Sequence, residues 1–186
     1  MENYNVVKIL KSFSKKEIIL FERFLLSPYF TEGKNIRSKI VVKYFKLLKG
    51  FYPSFDFKEF TKEFMFSRLY PNLKYKDEVM RKINSDLLKL EEEFLIQLEL
   101  EKDEIGSRKF LINQLIERDL GSLFNKSFDS MINYLNGTER DTEFFYQTYI
   151  SWEKYLYFYI GKKNYYKLED SFKNINNFSF MFCLIH

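Results

Sequence analysis

Cys183 and His186 are the only cysteine and the only histidine of this 186-residue chain, and both fall within its last four residues. Thiolate nucleophiles, imidazole proton shuttles and soft metal ligands all draw on these two side chains. Residues 1–182 have neither, which leaves no material there for a catalytic triad, a zinc site or a thiol redox centre. Carboxylates are plentiful, but Glu91, Glu92 and Glu93 point in different directions around a helix and belong to no metal or glycosidase pattern, so solvated surface is expected of them. The six glycines are scattered singly, and none belongs to a phosphate-binding loop. Trp152 with Tyr149, Tyr155 and Tyr159 has the makings of an aromatic cage, yet helical spacing assigns such rings to a core. No catalytic, cofactor or metal residue is assigned, and the expectation is a non-enzymatic protein that works by recognition.

Charge gives the strongest hint about partners. Residues 1–76 carry 16 Lys and Arg against 7 Asp and Glu, a net of +9, whereas residues 77–186 carry 14 against 19, a net of −5, consistent with +4 overall. The basic half suits either an acidic partner such as nucleic acid or the chain's own acids near Glu91, Glu92, Glu93, Glu99 and Glu101. Between residues 56 and 94, a helix ending at Tyr70, a basic turn and a second helix follow the order of a helix-turn-helix. The stretch from Phe60 through Leu69-Tyr70-Pro71 to Ile83-Asn84-Ser85-Asp86-Leu87 is loosely similar to the winged-helix segment of some bacterial transcription regulators. On that alternative reading Lys74, Lys76, Arg81, Lys82 and Asn84 meet DNA. Against it stand a recognition helix of about 27 residues on its periodicity, an acidic later half and the lack of a wing hairpin. A protein partner is favoured.

Composition fits a folded chain, with 46% apolar and 30% charged residues and enough length for one domain or two small ones. Alanine is absent, while Phe (22) and Tyr (14) are abundant; A/T-rich codons account for that bias without any role in stacking. A single cysteine excludes a disulfide framework and suits a reducing compartment. Lys8 and Lys11 interrupt the start, so it lacks a signal-peptide core, and Gln147, Glu153 and Lys154 interrupt the most apolar window, 144–160. The expected location is cytoplasmic, with no membrane span.

Helical period dominates, and the three prolines and six glycines fall between the periodic segments, which predicts an all-α, irregular multi-helix bundle of about 8–9 helices. Ser14 with Glu17 reads as a capping box opening a helix over 15–26, whose stripe is Ile18, Phe21, Phe24 and Leu25. Further helices are expected over 35–48, from a box-like Asp56/Glu59 start to Pro71, and over 77–103, where Met80, Ile83, Leu87, Leu90 and Phe94 form a seam for intramolecular packing. Shorter helices follow over 107–119 and 122–135. From Thr138 a segment with Phe145, Tyr149, Trp152, Leu156 and Tyr159 in one stripe runs to a cap at Gly161, and a last helix spans 165–175. These two form a hairpin of helical-repeat size. Two domains are expected, 1–104 and 105–186. The apolar tail Phe178, Phe180, Met181, Phe182, Leu184 and Ile185 reads as a helix whose partners lie beyond the chain, so the second domain is expected to be truncated.

Phe13-Ser14-Lys15-Lys16-Glu17, Leu26-Ser27-Pro28-Tyr29-Phe30, Phe51-Tyr52-Pro53, Leu69-Tyr70-Pro71 and the segment 76–95 resemble the N-terminal region of an uncharacterised family of helical Bacteroidota proteins. The resemblance implies a helical fold and a longer parent chain, and it carries no activity. Its motifs are caps and turns: Ser27-Pro28-Tyr29-Phe30 is expected to stop one helix and send two rings back into the core, because proline disfavours helix at the residue before it.

Overall fold

The computed structural model describes residues 4–27, 38–56 and 60–185. Among these the chain is all-α, with nine helices and no strand: α1 (Asn5–Ser12), α2 (Lys15–Leu26), α3 (Ser38–Lys49), α4 (Lys62–Leu69), α5 (Asp77–Lys102), α6 (Glu104–Glu117), α7 (Gly121–Asn136), α8 (Thr142–Ile160) and α9 (Tyr165–Ile185). Two compact units divide the chain at 99/100, inside the last turn of α5 and a few residues before the 104/105 boundary that the sequence suggests.

In the first unit the sequence marks its own helix starts. Ser14 accepts from the Glu17 amide at 3.2 Å, and Glu17 returns the bond to the Ser14 amide at 2.7 Å, so two of the unpaired N–H groups at the start of α2 are satisfied reciprocally. Ile18, Phe21, Phe24 and Leu25 then turn inward as their spacing requires. Phe21 is fully buried, with the rings of Phe45, Phe94 and Phe13 at 5.1, 5.2 and 5.7 Å. Burying one such ring stabilises the fold by roughly 1.5–3 kcal/mol, and edge-on pairing adds a further increment. The expected seam on α5 is buried in this same core, at Met80, Ile83, Leu87, Leu90 and Phe94.

Three features depart from expectation. Helix α1 was not legible as an element because Tyr4 offers no side-chain cap, although Val6, Leu10 and Phe13 follow a four-three spacing and are all buried. Helix α4 begins at Thr61, whose hydroxyl accepts from the Phe64 amide at 3.1 Å, and not at Asp56, which stays exposed. Glu59, the other half of that expected box, lies outside the described residues, as do the Pro28-Tyr29-Phe30 turn and the first residues of the helix expected from 35. Between α3 and α4, Phe55 takes a left-handed φ of 54°, a conformation unfavourable for a bulky side chain. Complete burial of its ring beside Phe60, at 5.8 Å, offsets that strain.

In the second unit, Ile112 and Leu115 of α6 and Phe124, Phe128, Met131 and Leu135 of α7 meet the aromatic face of α8. The closest ring pairs are Phe124 with Phe158, at 4.1 Å, and Phe128 with Tyr155, at 4.5 Å. Helix α8 faces this core with Phe144, Phe145, Tyr155, Phe158 and Tyr159. The expected stripe shares Phe145 and Tyr159 with that face but is rotated from it, leaving Tyr149, Trp152 and Leu156 half-buried at its edge. Aromatic residues on several faces of the helix made the period ambiguous. Trp152 packs edge-on against Phe128 and Tyr155, at 4.9 and 5.3 Å, so the imagined cage is core packing. Gly161 caps α8 in right-handed geometry, and the left-handed residue of the turn is Lys163, with φ of 51°. Helix α9 pairs closely with α8 as the expected hairpin and continues ten residues past its expected end at 175, with Phe178 set against Phe144 and Phe145.

Candidate functional site

The five residues of the DNA reading separate into three situations. Lys74 and Lys76 are exposed on the turn before α5. Arg81 reaches back one turn to Asp77, with Nε 3.0 Å from Oδ2, and Lys82 reaches forward to Asp86, with Nζ 3.0 Å from Oδ1. Asp86 is itself buried, and the Lys82 ammonium partly compensates for the loss of water around that carboxylate. Lys76 and Lys82 share a recess of about 290 Å³ with Glu78 and Asp86, so two charges of each sign line it.

Asn84 corrects the expectation outright. It is buried, accepts from the Tyr44 hydroxyl through Oδ1 at 2.9 Å and donates from Nδ2 to the Met80 carbonyl at 2.9 Å. This amide closes a polar gap in the first core, and its burial keeps it from any base. Burial holds the Tyr44 hydroxyl well above the ordinary phenol range, although the Asn84 bond opposes that shift.

Asp77, the first residue of α5, is the electrostatic hub of this region. Besides Arg81 it accepts from Lys62 Nζ at 2.8 Å and from the Tyr75 hydroxyl at 2.9 Å, tying α4 and the turn to the start of α5. The Lys62 ammonium first, and the Tyr75 hydroxyl second, hold the Asp77 carboxyl below its usual range. Loss of water, then the Asp77 carboxylate, pushes the Tyr75 hydroxyl up to about 12. Positive charge on this face is therefore largely spent on the protein's own acids.

Glu91, read from sequence as solvated surface, is 0% exposed, and neither of its carboxyl oxygens has a hydrogen-bond partner. Burial, with a lesser contribution from Glu92, pushes its carboxyl up to about 10, so it sits in the core as a neutral acid at ordinary pH. The signal that locates both Glu91 and Asn84 is positional. Residues 80, 84, 87, 91 and 94 step by four and three, so Met80, Leu87 and Phe94 carry the two polar residues inward with them.

A surface feature without a counterpart in the sequence reading lies on α8. Opposite its core face, Tyr146, Ile150, Glu153, Tyr157 and Ile160 fall at successive four-three steps on one outward stripe. Tyr157 is 67% exposed and Ile160 50%, with Tyr146 also exposed and Ile150 partly so. Glu153 is the single charge in the row, and it accepts from the Tyr149 hydroxyl at 3.2 Å. The helix thus carries apolar residues on two opposite faces, and the second leaves Tyr157 and Ile160 open to solvent.

No protein-family model, no curated protein and no solved structure matches the chain. Among the described residues, no group of three or more His, Cys, Asp or Glu could hold a metal ion, and no helix is long and apolar enough to cross a membrane.

Proposed function

We propose that this chain is a non-enzymatic helical scaffold, acting in the cytoplasm, that binds another protein through the outward stripe of α8. The observation that carries the proposal is the second apolar face of that helix. A surface helix ordinarily presents polar residues opposite its buried stripe, and a helix apolar on both sides belongs in an interior. Tyrosine serves such a contact well, because a rigid ring buries much area at little entropic cost and its hydroxyl still finds a polar partner. Tyr157 and Ile160 form the apolar end of the stripe, and Glu153 with Tyr149 supplies its polar side. The non-catalytic part of the proposal rests on the placement of the sole thiol and sole imidazole at the chain end.

A photo-crosslinking residue at position 157, in cells of the source organism, tests this reading. One discrete protein adduct is expected, and Tyr157→Glu with Ile160→Glu should abolish co-purification of that protein without moving the thermal midpoint. A diffuse set of adducts, or a partner retained by the double variant, would remove α8 from the interface. DNA docking gains no support from the geometry, since Asn84 is inside and Arg81 and Lys82 hold carboxylates.

A further inference from the structure

A cleft of about 270 Å³ opens in the second unit between the end of α7 and the start of α8. Its apolar wall is Ile105, Leu135 and Phe144, and its rim carries Glu139, Asp141 and Glu143. At its inner end lies Gln147, only 8% exposed. Gln147 Nε2 donates to Glu143 Oε1, which fixes the orientation of the amide, because a carboxylate can only accept. Gln147 Oε1 is consequently left buried with no donor. A buried acceptor without a partner is costly to the fold, so such an atom points to something that supplies the missing proton.

Every polar group around the cleft asks for the same kind of ligand. Thr138 also lines it, and its hydroxyl proton is committed to the Leu135 carbonyl at 2.7 Å, which leaves the oxygen as an acceptor. The Phe144 amide is committed to Asp141 Oδ1 at 2.8 Å. The nearby Arg140 guanidinium stands 5.9 Å from the centre of the Phe144 ring and does not satisfy Gln147 Oε1. The site therefore offers acceptors and negative charge above an apolar wall. A bare metal ion fits poorly, since the acids do not converge as a ligand set and the wall gives it no ligands.

We infer that this cleft binds an organic cation: an alkylammonium or alkylguanidinium whose stem lies on Phe144, Leu135 and Ile105 and whose head donates to Gln147 Oε1 beside Glu143. Its volume is below that of drug-sized pockets, which suits a ligand of side-chain size. The cation is either a free amine or the lysine or arginine of a bound chain. This inference does not depend on the α8 stripe, whose residues lie on another face of the helix.

Titrating the whole protein with butylammonium, butylguanidinium and neutral 1-butanol, followed by amide shifts in two-dimensional NMR, tests the inference. Saturable shifts confined to residues around 105, 135 and 138–147 are expected with the cations and not with the alcohol. Gln147→Met keeps the size and removes the acceptor, and it should weaken cation binding tenfold or more while raising the thermal midpoint. Glu143→Gln, at an exposed position, provides a second variant that leaves packing alone and should weaken binding severalfold. Tighter binding of a glycine peptide with one central lysine than of 1,4-diaminobutane assigns the cation to a partner chain, and the reverse order assigns it to a free amine. Absence of saturable shifts, equal binding of 1-butanol, or full affinity in both variants would overturn the site.

Discussion

Glu91 is the residue at which physical chemistry departs furthest from sequence intuition. Its carboxyl titrates near 4.5 in an unfolded chain and near 10 in the folded one. The folded value is raised, so the contribution of this one group to stability is whole below pH 4.5 and is lost progressively as pH climbs toward 10. The slope expected is about 1.4 kcal/mol per pH unit, which amounts to about 3 kcal/mol lost by pH 7. Glu91→Gln should flatten this dependence and be the more stable form at neutral pH, as urea unfolding between pH 5 and 9 would show. Identical pH profiles for the two proteins would mean that the carboxyl is solvated after all. The same residue shows what was readable in advance. Its place in the four-three row from Met80 to Phe94 is plain in the sequence, but a glutamate among three in succession is read by type and sent to the surface. Asn84 was misplaced for the same reason, and its Tyr44 partner, forty residues away, has no sequence signal.

Individual helices announce themselves where a side chain closes the first turn. Ser14 with Glu17 marks the start of α2 in the sequence, whereas α1 has no such cap to mark it. At α6 the cap is Asp103, which accepts from the Gly106 amide at 2.7 Å. A Cβ at Gly106 would lie 2.1 Å from Asp103 Oδ2, so glycine is there to let the cap form. Asp103→Ala should cost about 1 kcal/mol. Gly106→Ala should be close to neutral in the native protein, because the gain in helix propensity is cancelled by displacement of the cap, yet should stabilise the Asp103→Ala variant by about 0.8–1 kcal/mol. A double-mutant cycle by urea unfolding checks this, and strictly additive effects would contradict it. On α8 a capping bond from the Phe144 amide to Asp141 fixed the start, but the choice of face was illegible. Eleven Tyr, Phe, Ile and Trp residues spread around α8 satisfy a helical period in more than one way, and the positions of Phe124 and Phe128 on α7 select among them.

For the molecule as a whole, fold class follows from helical period: among the described residues every periodic segment is a helix, with Gly106 and Gly121 inside the first turns of α6 and α7 and Gly50, Gly137 and Gly161 at or just past helix ends. What the sequence could not supply was the grouping of those helices. Two hydrophobic clusters with no residue in common define it, one within residues 1–99 and one within 100–186. A stretch of about 100 residues with its own core is large enough to fold alone. Residues 1–102, ending with α5 complete, should give a helical circular-dichroism spectrum and a cooperative thermal transition. A non-cooperative, largely unfolded spectrum would show that the first core needs the rest of the chain. The charge asymmetry noted at the outset belongs to this scale too, because the basic first unit meets part of its charge internally through Asp77, Asp86 and Glu22.

The chain has one tryptophan, and Trp152 lies against Phe128 and Tyr155 in the second cluster. Indole emission is therefore a private optical reporter of that half of the molecule, while far-ultraviolet ellipticity sums both halves. Following a single denaturant titration of the intact protein by the two signals separates concerted from stepwise melting with no label attached.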